Sequence, residues 1–145
     1  MEEKEKKTGG RFETARLVLG ILSMVLFLLV AFQSCAAGLG NALSDNGELS
    51  GTFGFFVAFN LLASGIIAVG ARKSGSLVPW IIAAVPLWLN YFYAKVFGGS
   101  FGDLKIWGFV SFAIGVFYLF SAVRTKKGYI IVGVISAVFL AAALI

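Results

Sequence analysis

Histidine is absent from this 145-residue chain, and cysteine occurs only once. These two scarcities remove most metal-ligand sets and the usual pairing of a nucleophile with a basic imidazole. Charge is scarce as well, because 13% of the residues are Asp, Glu, Lys or Arg whereas 59% are hydrophobic. A water-soluble domain of this size needs far more charge on its surface. The sequence therefore predicts no catalytic residues, no cofactor and no metal site, and it predicts that the protein is not an enzyme.

Long apolar runs dominate the chain, and its mean hydropathy is +0.94. Because a helix rises about 1.5 Å per residue, about 20 apolar residues cross a hydrocarbon core of roughly 30 Å. Five uncharged runs predict an all-α, polytopic transmembrane helical bundle. The predicted spans are residues 17–39, 52–71, 77–94, 106–123 and 128–145. The fifth run is just long enough to cross, so a four-span bundle is the alternative.

Two regions follow from this division of the chain. Residues 1–16 carry charges of both signs, interrupted by Gly9 and Gly10, which predicts a cytoplasmic charged tail that is partly disordered, over residues 1–10. Arg11, Phe12 and Arg16 stand where anchors at the membrane interface are expected. Residues 17–145 form the transmembrane bundle.

The distribution of Lys and Arg predicts the orientation of the bundle. With the N-terminus inside, ten of the twelve basic residues lie on the cytoplasmic side, and only Lys95 and Lys105 lie outside. With five spans, the C-terminus is then outside. Five of the seven Trp and Tyr residues fall near the predicted span ends, as interfacial aromatics do: Trp80 and Tyr129 inside, and Tyr91, Tyr93 and Trp107 outside. The expected partners are the lipid bilayer and either a membrane protein or a second copy of the chain, with no nucleic acid.

The interior of the predicted bundle contains few polar side chains. No Asp, Glu, Lys or Arg lies within the five runs, so we expect no proton-coupled transport. Four uncharged polar residues lie near the centre or in the outer half of their spans: Gln33, Asn60, Asn90 and Ser111. They predict an interhelical hydrogen-bond layer, which either only packs the helices or forms a polar ligand or conduction site. Pro86 lies in the middle of its span and predicts a kink that frees the carbonyl near Ile82.

Cys35 has two interpretations. It follows an apolar run, as lipid-modified cysteines do, although Phe32 and Gln33 are not the residue types that usually precede such a cysteine. The other interpretation is a small buried thiol near the outer face.

Small residues recur four positions apart, which lets helix backbones approach closely in lipid. The pairs are Ala36 with Gly40, Ser64 with Ala68, Ser111 with Gly115, and Gly133 with Ala137. Packing within the chain and a homo-oligomer interface are both consistent with them.

Three stretches carry a resemblance to other proteins. They are FQSCAAGLGNALSDNGE at the end of the first span, ARKSG after the second, and FGDLKIWGFVSFAIG at the fourth. In these stretches the chain resembles uncharacterised small multi-pass membrane proteins of low-GC Gram-positive bacteria, over roughly residues 14–75 and 101–120. The resemblance implies a bacterial plasma-membrane location and supplies no catalytic residues. Those proteins resemble four-helix chains, so the run after Lys127 departs from their pattern.

These observations favour a non-enzymatic integral protein of the bacterial cytoplasmic membrane that acts through helix–helix contacts. An accessory, envelope-stress or immunity-type role fits such a protein. The alternative is a small oligomeric transporter or channel for an uncharged solute or lipid, built around the polar side chains and the Pro86 kink.

Overall fold

The computed structural model describes residues 2–45, 47, 49–97, 102–123 and 126–144. Over these ranges every regular element is an α-helix, and no strand occurs. The five helices are α1 (Glu2–Ser44), α2 (Ser50–Gly70), α3 (Val78–Phe97), α4 (Gly102–Ala122) and α5 (Lys126–Leu144). The prediction of an all-helical bundle is therefore confirmed.

Four of the helices are, by length and composition, long and apolar enough to cross a membrane. These segments are Phe12–Ser44, Gly51–Gly70, Val78–Phe97 and Gly102–Ala122. They contain or closely overlap the first four predicted spans. Helix α5, whose side chains are described as far as residue 142, is not among them. The fifth span therefore stays a prediction.

Helix α1 extends beyond its predicted span at both ends. It begins at Glu2, within the tail that the sequence predicts to be partly disordered, and it continues past Gly40 to Ser44. The physical reason at the amino end is that Glu and Lys are good helix formers.

Helices α1 and α2 form a tightly packed pair joined by a short turn. Asp45 and Gly47 in this turn have positive φ angles of 50° and 72°, a conformation that Gly adopts without steric cost and that Asp tolerates. Glycines then bring the two backbones together along the pair. A Cβ added at Gly65 would lie 2.6 Å from the carbonyl oxygen of Gly20, and one added at Gly51 would lie 2.5 Å from the Cα of Gly38.

Helices α3 and α4 form the second closely packed pair. A Cβ added to Gly108 would lie 2.6 Å from the Cβ of Ala94, so the helices almost touch there. Helix α2 also packs against α3, which joins the two pairs into one four-helix core. Helix α5 makes fewer contacts and packs through Phe139, whose ring centroid lies 5.2 Å from that of Trp88.

Candidate functional site

Three of the four predicted polar residues meet inside the bundle. The Nδ2 of Asn60 on α2 donates to the Oδ1 of Asn90 on α3 over 2.9 Å. The Nδ2 of Asn90 donates to the Oγ of Ser111 on α4 over 3.2 Å. It also donates to the carbonyl of Val57 over 3.2 Å, which ties Asn90 back to α2. Asn90 and Ser111 are completely buried. These contacts link α2, α3 and α4. The sequence predicts each of the three polar residues separately, but it does not show which of them bond to each other.

Gln33 on α1 joins this group indirectly. Its Oε1 accepts a hydrogen bond of 2.6 Å from the Nε1 of Trp107 on α4. The carbonyl of Trp107 in turn accepts from the Oγ of Ser111 over 2.7 Å. We call Gln33, Asn60, Asn90, Trp107 and Ser111 the polar layer. The sequence predicts Trp107 only as a member of the outer aromatic belt, because the sequence alone does not show which side chain accepts the hydrogen bond of its indole N–H.

The segment around Pro86 receives two further hydrogen bonds from α2. The Nδ2 of Asn60 lies 3.3 Å from the carbonyl oxygen of Pro86, and the Oγ of Ser64 donates to the carbonyl of Ala83 over 2.7 Å. Proline has no N–H, so the carbonyl of Ile82 loses its usual helical partner. Among the described residues, Ser64 and Asn60 donate to the carbonyls of Ala83 and Pro86, and no side chain donates to the carbonyl of Ile82. Helix α3 remains continuous through Pro86, and the predicted kink stays a prediction.

The polar layer is chemically neutral and largely satisfied by its own members. Asn90 commits both amide hydrogens and its oxygen to neighbouring helices, so a ligand at this residue would have to displace an existing bond. Hydrogen bonds of this kind hold membrane helices together with about 0.6 kcal/mol each. The geometry therefore favours packing over ligand binding at Asn90.

A second polar cluster, at the other end of the bundle, is centred on Arg16. The sequence predicts an interfacial anchor at Arg16, and this stays a prediction; in the structure the side chain is only 3% exposed and bonds within the bundle. Its Nε and Nη2 donate to the Oγ and carbonyl of Ser121 over 3.1 and 2.9 Å. Its Nη1 donates to the carbonyls of Arg72 and Ser74, each over 3.1 Å. We call these residues, with Trp80, the Arg16 cluster.

The acceptors explain how a buried guanidinium is stabilised in this position. Ser121 is near the last residue of α4, and Arg72 and Ser74 follow the end of α2. The carbonyl of Ser121 is one of the last four of α4, which lack intrahelical partners and carry the negative end of the helix dipole. The guanidinium carbon also lies 4.0 Å from the centre of the Trp80 ring, a favourable cation–π geometry. Arg16 therefore joins α1 to the ends of α2 and α4 and to the start of α3.

Surface ion pairs reinforce the same end only weakly. The Oε1 of Glu13 lies 3.7 Å from the Nε of Arg72 and 3.9 Å from the Nζ of Lys73. Exposed pairs at such distances contribute roughly 0–1 kcal/mol.

Cys35 is exposed on α1, which corrects the interpretation of a buried thiol. Its neighbour Ser34 is fully buried and donates to the carbonyl of Val30 over 2.6 Å. Successive residues on a helix point about 100° apart, and here Ser34 faces the bundle while Cys35 points away from it. Lipidation of Cys35 stays a prediction.

No group of three or more His, Cys, Asp or Glu side chains that could hold a metal ion occurs in the described ranges. No family model, no curated protein and no solved structure matches the chain. The fold is that of a helical membrane protein with four helices long and apolar enough to cross a membrane. Any statement on function must therefore be argued from the polar and exposed residues of this bundle.

Proposed function

We propose that this chain is a non-enzymatic integral protein of the bacterial cytoplasmic membrane that acts by packing its helices against those of a membrane partner. An accessory, envelope-stress or immunity-type subunit is a protein of this kind. The observation that carries the proposal is a small-residue surface on α1 that the chain leaves uncovered.

This surface contrasts with two of the three other small-residue pairs, those on α2 and α4, whereas Ala137 of the pair on α5 is also exposed. Ser64, Ala68 and Ser111 are buried between helices of the chain, where they allow close packing. Ala36 and Gly40 are exposed, and among the described residues no atom of another helix lies within 4 Å of a Cβ added at Gly40. Small residues one turn apart on an uncovered membrane helix permit another helix to approach closely. The surface therefore supports a role through helix–helix contact.

The polar layer supports this proposal over the alternative of a small oligomeric transporter or channel. A transport site at mid-membrane needs polar groups that are available to a solute. Asn90 and Ser111 are fully buried and bonded across helices, which leaves them to hold the bundle together.

Orientation and location are part of the same proposal. The excess of Lys and Arg at the end that contains Arg72 and Lys73 favours a cytoplasmic N-terminus. The resemblance to small membrane proteins of low-GC Gram-positive bacteria favours a bacterial plasma membrane. A fifth span in α5 would put the C-terminus outside.

The test is affinity purification of the full chain from its native membrane in a mild detergent. We expect a stoichiometric membrane protein, or a second copy of the chain, to co-purify with the wild type. Ala36→Leu with Gly40→Leu should abolish that association. Ala113→Leu is the matched control, because Ala113 is an exposed small residue on α4.

Two results would contradict the proposal. One is an association that survives the double substitution, since the α1 surface would then not be the contact. The other is solute flux by the purified chain alone in liposomes, especially if Asn90→Leu abolished the flux in a protein that still folds. That result would instead favour the transporter.

A further inference from the structure

A groove of about 420 Å³ lies between α3 and α4, at the end of the bundle remote from Arg16. It is lined by Tyr91, Ala94, Lys95, Lys105 and Phe109, and we call it the lysine groove. Ala94 is 1% exposed and forms its floor where α3 and Gly108 of α4 approach most closely. Neither the helix-contact function nor the polar layer involves this groove.

The two walls of the groove have the same arrangement. Tyr91 and Lys95 are four residues apart on α3, and Lys105 and Phe109 are four apart on α4. Residues at this spacing lie on one face of a helix, about one turn of 5.4 Å from each other. On both walls the lysine is nearer the helix end and the aromatic ring is one turn deeper. The groove therefore has a cationic mouth and an apolar interior.

The charge at the mouth is not neutralised within the described part of the chain. The ion pairs of the described residues are those of Glu13 with Arg72 and Lys73, and neither lysine of the groove takes part in one. Lys95 lies in the last turn of α3, where the helix dipole favours a cation. Lys105 lies near the beginning of α4, where the dipole opposes a cation, and Asp103 in the first turn offsets this in part. An anion between the two ammonium groups would be stabilised by both.

We propose that the lysine groove binds an anionic phospholipid, with the phosphate between Lys95 and Lys105 and an acyl chain along Tyr91 and Phe109. Basic pockets between membrane helices on the cytoplasmic side bind anionic headgroups, and the lysine groove offers the same combination of cations and apolar wall at the opposite end of the bundle. A free phosphate would use only the mouth, whereas the groove continues into an aromatic interior. Phe109 is 55% exposed and provides that apolar wall on the α4 side.

The test is a titration of the full-length protein in a neutral detergent, read by native mass spectrometry. The probes are dioleoylphosphatidylglycerol, dioleoylphosphatidylcholine and inorganic phosphate. At about a factor of five in affinity for each lysine, we expect K95Q/K105Q to bind phosphatidylglycerol about 25-fold more weakly. K126Q/K127Q is the control, because it removes two exposed lysines from a different end of the bundle and should bind as the wild type does.

The remaining outcomes are also decisive. Phe109→Ala should weaken phosphatidylglycerol binding several-fold, and excess inorganic phosphate should not displace the lipid from the wild type. Equal losses in both double variants, or no loss in K95Q/K105Q, would overturn the site. Displacement by inorganic phosphate alone would overturn the lipid assignment and indicate a free-phosphate site.

A second measurement, photocrosslinking, uses only the wild-type protein and therefore does not require any variant to fold. A phosphatidylglycerol with a diazirine in its acyl chain should crosslink to the wild-type protein within residues 91–95 or 105–109. Crosslinks confined to other helices would overturn the proposal. Since the lysine groove and the α1 surface are separate, this result is independent of the partner experiment.

Discussion

At the scale of single residues, Arg16 has the greatest effect on how the bundle is organised. Its partners are separated from it by 56, 58 and 105 positions in the sequence. A basic residue just before an apolar run usually anchors that run at the interface, so the local pattern predicts the depth of Arg16 but not its burial. Burial of Arg16 depends on two helices ending at the same place, which no local pattern contains.

Replacing Arg16 should destabilise the bundle strongly. Arg16→Gln removes the charge and leaves carbonyls of Arg72, Ser74 and Ser121 without their donors. Because hydrogen bonds to a charged group contribute about 1.5–3 kcal/mol, we expect a loss of about 2–3 kcal/mol in the free energy of unfolding. Equilibrium unfolding in mixed micelles measures it. Lys126→Gln, an exposed cation, is the control, and equal stability of the two variants would contradict a structural role for Arg16.

Asn90 is the corresponding residue within the polar layer. Asn90→Leu removes three interhelical hydrogen bonds, and at about 0.6 kcal/mol each the expected loss is about 2 kcal/mol. The same unfolding experiment measures it. Ser136→Ala is the control, because Ser136 bonds only within its own helix, to Val132. If Asn90→Leu were as stable as the wild type but inactive in a partner or flux assay, the layer would have a functional role instead.

At the scale of helices, the sequence predicts the elements well and their contacts poorly. Uncharged runs fix the first four spans because the hydrocarbon thickness sets a minimum length. The same runs do not show which glycines face each other. Gly20 and Gly65 are in close contact across α1 and α2, whereas nothing lies within 4 Å of a Cβ added at Gly70. All three residues are glycines, so the residue type does not distinguish them and only the packing of the helices does.

A pair of glycine variants in α2 tests this contact between helices. Gly65→Ala places a Cβ 2.6 Å from the carbonyl oxygen of Gly20, so α1 and α2 must separate. We expect a loss of about 1–3 kcal/mol, as overpacking usually costs. Gly70→Ala should be neutral or stabilising by up to about 1 kcal/mol, because Ala favours the helix. Thermal unfolding in detergent compares them, and equal effects of the two substitutions would show that α1 and α2 are not in contact at Gly20.

At the scale of the whole molecule, the sequence predicts the class of fold, and it predicts the site only in part. It identifies Asn60, Asn90 and Ser111 as polar residues at similar depths, because each interrupts an apolar run. It does not identify the roles of Trp107 or Arg16, whose partners lie on other helices. The sequence also does not predict the lysine groove. It identifies Lys95 and Lys105 only as the two basic residues predicted to lie outside, and not as neighbours across α3 and α4.

The proposed function and the lysine groove both require that lipid surrounds four helices whose basic ends lie on the cytoplasmic side. The most direct measurement is labelling of single cysteines in intact cells with a membrane-impermeant maleimide, in a Cys35→Ser background. We predict that Lys105→Cys is labelled from outside and that Lys73→Cys is labelled only after the membrane is permeabilised. Labelling of Lys73→Cys in intact cells, with Lys105→Cys protected, would contradict the claim.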